Sequence, residues 1–205
     1  MLHQNRSPFA SRKPKKKEID LEDEARFLKS WFESPLKTGA VAPSGKALAK
    51  KMAACVDLKI PGFIVELGPG TGPVTQALLE RGTDPSRLLL VEYSADFVKL
   101  LSNRFPDVTV IQGDAYDLRK TLEPYLQGPL AAVVSSLPLL TRPEDQRIKL
   151  LKEAIEMMVP GAPFIQFTYM IPSPIARIEG VLAKASPRIW KNLPPARVWT
   201  YQQQV

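Results

Sequence analysis

Residues 62–74, GFIVELGPGTGPV, constrain the fold more tightly than any other stretch of the chain. A short apolar run, Phe63 to Leu67, leads straight into Gly68, Pro69, Gly70 and Gly72, and Pro73 is suited to the first turn of a helix. A buried strand followed by so little side chain reads as a strand-to-helix turn. Its backbone N–H groups stay open to a ligand at the start of the helix. The plainer alternative, a tight turn with no ligand, is equally compatible with the glycines taken alone.

The rest of the chain supplies the context. Four further apolar runs follow, Leu88 to Glu92, Val108 to Ile111, Ala131 to Ser135 and Ala162 to Phe167. Between them lie helical patterns beginning near Pro73, Ala95, Leu118 and Pro143, the last with Ile148, Leu151, Ile155 and Met158 on one face. Strands alternating with helices predict a doubly wound α/β fold with a parallel sheet. Beyond it, a helix is expected over Ser173 to Ala185, and Arg188 to Trp190 is expected to pair with Val198 to Tyr201 as an antiparallel hairpin across NLPPA. Upstream, Asp20 to Phe32 reads as a helix with acids in its first turn. A second helix runs from Ser44, a plausible N-cap, to Val56, after a loop over Thr38 to Pro43 that suits a crossing near a ligand. The expected organisation is a basic tail (1–18), amphipathic N-terminal helices acting at a membrane or as a cofactor lid (19–60), and a catalytic domain (61–205).

With 205 residues and 44% hydrophobic content, the chain can bury one substantial core. The net charge of +7 is concentrated at one end: Arg6, Arg12, Lys13, Lys15, Lys16 and Lys17 carry six positive charges within residues 1–17, which hold no acid. The body is therefore nearly neutral. Glu18, Asp20, Glu22, Asp23 and Glu24 follow where a secretory signal would need an apolar core, and no stretch reaches the roughly 20 apolar residues of a membrane span. A lone cysteine, Cys55, excludes an internal disulfide framework and fits a reducing cytoplasm.

Two acids sharpen the reading of the glycine loop. Glu92 ends the second strand about twenty residues after the last glycine, where a carboxylate can accept from both hydroxyls of a ribose. Asp114, in QGDA, ends the third strand and can accept from an adenine amino group. Each is otherwise a solvated charge at a strand end. A dinucleotide pyrophosphate is a poor fit, because Pro73 and Thr75 stand where its fingerprint needs a third small residue.

The ELGPGTG form, with Glu92 and Asp114, resembles the motifs of class I S-adenosylmethionine-dependent methyltransferases. That resemblance implies a Rossmann-like, seven-stranded, mostly parallel sheet with helices on both faces, a C-terminal antiparallel hairpin and added N-terminal helices. It implies S-adenosylmethionine as cofactor, with Glu66 and the glycine turn along its methionine part. Pro69, Tyr93, Ala115 and Ser135 complete the implied cofactor set; no metal is expected.

The fourth strand leads into SSLPLL, which resembles the short Asn/Asp/Ser-Pro-Pro-aromatic motif of amino-methylating enzymes. There the first side chain and a following carbonyl accept the amine's hydrogens; here Ser136 and the Leu137 carbonyl match those roles. Leu139 stands where that motif carries an aromatic, so stacking on a planar base is lost. The acceptor is then expected not to be a nucleobase. The ordinary alternative is a strand exit with a turn. VELGPGTGPVTQALLERG, QGDAYDL, SSLPLLTRPEDQR, PFIQFTY and LPPARVW together resemble bacterial phospholipid N-methyltransferases of the soluble rhizobial type. This implies methylation of phosphatidylethanolamine, through mono- and dimethyl intermediates, toward phosphatidylcholine by a cytoplasmic enzyme held at the inner face of the cytoplasmic membrane.

An ammonium has no lone pair, so the acceptor nitrogen must first lose a proton; a sulfonium beside it lowers its pKa by like-charge repulsion. His3 lies in the tail and is no catalyst. Tyr169, at the end of FIQFTY, is the candidate to bind or relay that proton, or else an amphipathic core tyrosine. Arg177, Arg188 and Lys191 are equal candidates for a lipid phosphate. Residues 1–33 are expected to bind an anionic membrane through the basic run and through Phe27, Trp31 and Phe32; the alternative is that this helix caps the fold. Two rivals remain: an RNA adenine dimethylase, against which the neutral body and Leu139 count, and a cofactor-binding membrane adaptor without chemistry.

Overall fold

A computed structural model describes residues 43–204. The expected basic tail, the Asp20 to Phe32 helix and most of the Thr38 to Pro43 loop lie outside the described residues. Within them the order is α1 (Pro43–Ala53), β1 (Phe63–Leu67), α2 (Pro73–Glu80), β2 (Leu88–Glu92), α3 (Ala95–Arg104), β3 (Thr109–Gln112), α4 (Leu118–Leu122), β4 (Leu130–Ser135), α5 (Glu144–Met157), β5 (Phe164–Thr168), β6 (Val181–Ala185) and β7 (Arg197–Gln203).

The seven strands form one sheet in the order β3-β2-β1-β4-β5-β7-β6. β1 to β5 run parallel, and β7 inserts antiparallel between β5 and β6. Strands covered on both faces need apolar residues at every position, not at alternate ones. That is why FIVEL, LLLVE and LAAVVS read as continuous runs, and β2 and β4 are buried along their whole length.

Helices cover both faces. On one, Leu48 and Met52 of α1, Leu78 of α2 and Leu101 of α3 pack over Ile64, Leu90 and Val134. On the other, Leu118 and Leu122 of α4 and Leu150, Leu151 and Ala154 of α5 pack over Val65, Leu89 and Val133. Arg81 ties α1 to the body by donating to the carbonyls of Ala53 and Val56, which satisfies acceptors left over at the helix end. Glu144 and Asp145 in the first turn of α5 suit its positive end.

The class of fold and the five parallel strands agree with the sequence expectation. The C-terminal region differs in detail. No helix forms over Ser173 to Ala185: that stretch runs irregularly past Pro172 and Pro174 to Gly180, then extends as β6. The hairpin is therefore β6 with β7, pairing Ala183 with Tyr201, and Arg188 to Trp190 supplies only an isolated bridge from Ile189 to Ala196. Pairing with β7 outweighs the helix propensity of Ala and Lys in VLAKA.

Candidate functional site

Every strand-end residue singled out above lies at the carboxyl edge of the parallel strands, the ordinary place for a ligand in such a sheet. The cradle begins where β1 stops. Gly68 N–H donates to the Val91 carbonyl at 2.9 Å, fastening the loop to β2. Gly70 and Gly72 then adopt left-handed φ values of 57° and 83°, which side chains resist. At Gly72 a Cβ would come within 2.5 Å of Phe105 Cε2, so glycine lets the loop press on α3; at Gly70 a Cβ would meet nothing within 4 Å, so that backbone faces open space. One glycine serves packing and the other exposure.

Glu92 is buried and lies against this loop. Its Oε2 accepts from Gly70 N–H at 3.1 Å and its Oε1 from Ser94 N–H at 3.0 Å. The carboxylate thus shapes the loop from below. Tyr93 projects outward and is 78% exposed. Asp114 closes the third strand, its Oδ1 accepting from Tyr116 N–H at 2.9 Å, with Ala115 buried beside it.

Glu66 is fully buried. Its Oε2 accepts from the Thr75 hydroxyl at 2.7 Å, while Oε1 is buried without a hydrogen-bond partner. Burial pushes its pKa from 4.5 up to about 8, against the lowering effect of the bonds from Thr75. The N–H groups of Gly68, Gly70 and Gly72, expected to stay open to a ligand, are instead bonded within the fold to the Val91 carbonyl, Glu92 Oε2 and the Pro69 carbonyl, so it is the neutral Glu66 carboxyl beneath the loop that has spare capacity to accept from, or be ionised by, a cation arriving above it. Thr75, one turn into α2, is the partner that strand and loop motifs do not reveal; its signal is a hydroxyl on the inward face of an otherwise apolar helix start.

The second part of the edge starts at β4. Ser136 N–H donates to the Leu67 carbonyl at 2.8 Å, and the space above Gly68 is filled by Leu137, whose Cδ2 lies 3.0 Å from where a Cβ would be. The glycine loop and the SSLP turn are therefore one packed unit. Ser135 is buried, with Leu137 N–H reaching its hydroxyl at 3.4 Å; Ser136 is half-buried, and its hydroxyl bonds no other described residue. The Leu137 carbonyl accepts from Leu139 N–H at 2.9 Å and from the side-chain amide of Gln166 at 3.0 Å. Gln166 also donates to the Phe167 carbonyl at 2.8 Å, and its Oε1 is buried without a partner. A polar side chain near the end of a buried strand is the signal that sequence reading passed over.

Tyr169 follows β5 at the same edge, its ring edge-on to Phe167 at 5.5 Å. Burial pushes its phenol up to about 12, with a hydrogen bond to Asn192 acting in the opposite direction. Arg188 lies over the Trp190 ring and reaches the Tyr169 carbonyl at 3.5 Å; Arg177 and Lys191 are exposed. Among the described residues, no cluster of His, Cys, Asp or Glu suits a metal ion, and no helix is long and apolar enough to cross a membrane.

Residues 64–161 match the sequence profile of the family described as Methyltransferase domain. The ornithine lipid N-methyltransferase of Singulisphaera acidiphila is 29% identical over 147 residues, covering 70% of this chain and 77% of that protein. The ribosomal RNA small subunit methyltransferase A of Cupriavidus metallidurans is 33% identical over 129 residues, 54% of this chain and 44% of that protein; its Synechococcus counterpart is 27% identical over 150 residues, 66% and 50%. The chain thus spans about half the length of these ribosomal RNA methyltransferases. Among solved structures, an O-methyltransferase from Bacillus cereus superposes with a TM-score of 0.61 at 15% identity, covering 91% of this chain and 92% of that one. TrmN from Thermus thermophilus gives 0.62 at 16%, covering 86% and 53%. The architecture is the class I methyltransferase fold, whose cofactor is S-adenosylmethionine. The uncovered backbone at Gly70, where no side chain blocks close approach, and the orphaned Glu66 oxygen fit that cofactor: the carboxylates of Glu66 and Glu92 suit an ammonium and a ribose on one ligand.

Proposed function

A class I S-adenosylmethionine-dependent methyltransferase is defined further by its acceptor, and we propose that here it is the primary amine of a membrane lipid, phosphatidylethanolamine, methylated stepwise toward phosphatidylcholine. The observation that carries the reading is Leu139. It is 2% exposed and belongs to the hydrophobic core beneath the SSLP turn, so neither its chemistry nor its position offers a platform for a flat base. An aliphatic amine needs no such platform. It needs an acceptor for its hydrogens and a fixed approach to the methyl group.

In this reading the glycine loop, Glu66, Glu92, Tyr93 and Asp114 hold the cofactor, which supplies an electrophilic methyl on a sulfonium. The Ser136 hydroxyl accepts a hydrogen of the amine and orients its lone pair. The Leu137 carbonyl, already accepting two bonds, serves mainly to hold the turn in place. Tyr169, neutral with a pKa of about 12, orients by hydrogen bonding and is not a base near neutrality. Solvent then takes the amine's proton, aided by repulsion from the sulfonium. The similarity to an ornithine lipid N-methyltransferase supports an aliphatic amine on a lipid.

The similarity to ribosomal RNA methyltransferases supports a second reading, adenine dimethylation. The test compares transfer of a labelled methyl to vesicles containing phosphatidylethanolamine, to vesicles containing ornithine lipid, and to ribosomal RNA. Label in phosphatidylethanolamine, appearing as mono- and then dimethyl product, is the expected result. Label in ornithine lipid alone would move the acceptor to another lipid amine, and label in RNA alone would overturn the proposal.

A further inference from the structure

Large apolar side chains that remain exposed carry a solvation cost, and their placement is informative when they cluster. Among the described residues, four are more than 60% exposed: Tyr93, Ile171, Trp190 and Leu193. All four emerge at the carboxyl edge of the parallel strands. Tyr93 follows β2, on the cofactor side. Ile171 follows β5, and Trp190 and Leu193 belong to the β6–β7 connection, which opens at the same edge because Thr168 of β5 pairs with Arg197 of β7 and Ala185 of β6 with Trp199. Three apolar tips thus border the acceptor half of the site.

The connection that carries them is built. Ile189 N–H donates to the Ala196 carbonyl at 2.8 Å, closing the base of the loop, and Asn192 N–H donates to the Ile189 carbonyl at 3.1 Å. Asn192 is buried, and its side-chain amide donates to the Pro194 carbonyl at 2.8 Å. Inward residues therefore fix the loop while Trp190 at 73% and Leu193 at 76% point out. Residues 186–196 also carry Arg188 and Lys191 and no acid.

We propose that Ile171, Trp190 and Leu193 form a membrane-docking tip that inserts at the head-group boundary of an anionic lipid surface, with Arg188 and Lys191 pairing with lipid phosphates, so that the acceptor site opens directly onto the bilayer. An aromatic and two aliphatic side chains flanked by cations match that boundary, where an apolar body is buried and charge stays at the head groups. Leu193 and Ile171 have no planar face for a nucleobase. The proposal rests on the lipid-amine reading for its consequence, and it is separate from any membrane contact made by residues 1–33.

The test uses the full chain, wild type and the Trp190→Ala/Leu193→Ala double variant. The vesicles are of phosphatidylethanolamine and phosphatidylglycerol, with and without bromine on the upper acyl chain. In a Trp31→Phe background, which removes the tryptophan of residues 1–33, brominated lipid is expected to quench tryptophan emission, and adding Trp190→Phe is expected to remove most of that quenching. Methyl transfer to vesicles should fall about tenfold or more in the double variant, while transfer to a short-chain, monomeric phosphatidylethanolamine and the cofactor affinity stay within about twofold. Equal loss on vesicle and monomer would show a structural effect and overturn docking. So would Trp190 emission that ignores brominated lipid but responds to an RNA oligonucleotide, or a double variant whose only change is a smaller oligomer by light scattering. Quenching without methylation of either lipid form would leave docking standing and remove the acceptor assignment.

Discussion

Replacing Glu66 by Gln should stabilise the protein relative to wild type by an amount that grows as pH rises, which is unusual for the loss of a carboxyl group. Burial holds the Glu66 carboxyl neutral up to about pH 8, whereas in the unfolded chain it ionises near 4.5. The folded state therefore binds the extra proton between those values. Its contribution to stability is complete below 4.5 and is lost as pH rises, at about 1.4 kcal/mol per unit, until the folded group also ionises near 8. Between pH 5.5 and 7.5 wild type should lose about 2.7 kcal/mol relative to a neutral isostere. The amide introduced by Glu66→Gln can still accept from Thr75 through its oxygen, and it does not titrate. Urea unfolding of both proteins at the two pH values, with the difference of differences taken, isolates this one group from all others. Parallel pH profiles would show that Glu66 is not held neutral, and the account of its burial would be wrong.

Gly72→Ala should cost about 1–3 kcal/mol in stability, because φ is 83° and the new methyl meets Phe105 at 2.5 Å. Gly70→Ala, with no neighbour within 4 Å, should cost only about 1–2 kcal/mol of left-handed strain yet weaken S-adenosylmethionine binding more, as read by calorimetry beside urea midpoints. Gln166→Leu removes the donor to the Leu137 and Phe167 carbonyls and should lower turnover about tenfold or more with cofactor affinity within about twofold, measured on monomeric substrate. Tyr169→Phe should lower turnover without moving any break in the pH–rate profile below about pH 10, since the phenol it removes is neutral there.

The legible part of the chain was the part where chemistry forces residue types. Phe63–Leu67 and Leu88–Glu92 could be read to the residue because strands buried on both faces admit few side chains that are not apolar. Gly68 and Gly70 were legible as a turn because left-handed backbone admits few other residues, and Glu92 and Asp114 were legible as strand-end carboxylates, each of which accepts from backbone N–H groups of the segment that follows. Val181–Ala185 was not: as the edge strand it is largely exposed, VLAKA carries no alternation, and its pairing depends on β7, which lies beyond a whole intervening loop. Thr75 and Gln166 were missed for a related reason. Each acts on another part of the chain, Glu66 and the Leu137 carbonyl, and no local spacing reports a partner that distant.

The same division runs through the site itself. β1, β2 and β3 carry the residues proposed for the cofactor; β4, β5, β7 and β6 carry the turn and the loops proposed for the acceptor. The family profile covers residues 64–161, which include β1 to β4 and the SSLP turn, and stops before β5, so β5, β6, β7 and the loops between them lie outside it. A half made from glycines in left-handed conformation cannot drift far in sequence without losing its loop. A half made from loops can exchange a stacking aromatic for a core leucine, or extend an apolar tip, while the sheet beneath stays unchanged. Similarity to both lipid- and RNA-methylating proteins is the expected result of that arrangement. The acceptor must then be argued from Leu139, Gln166 and the Ile189–Ala196 loop, because the glycine loop would look the same for either substrate.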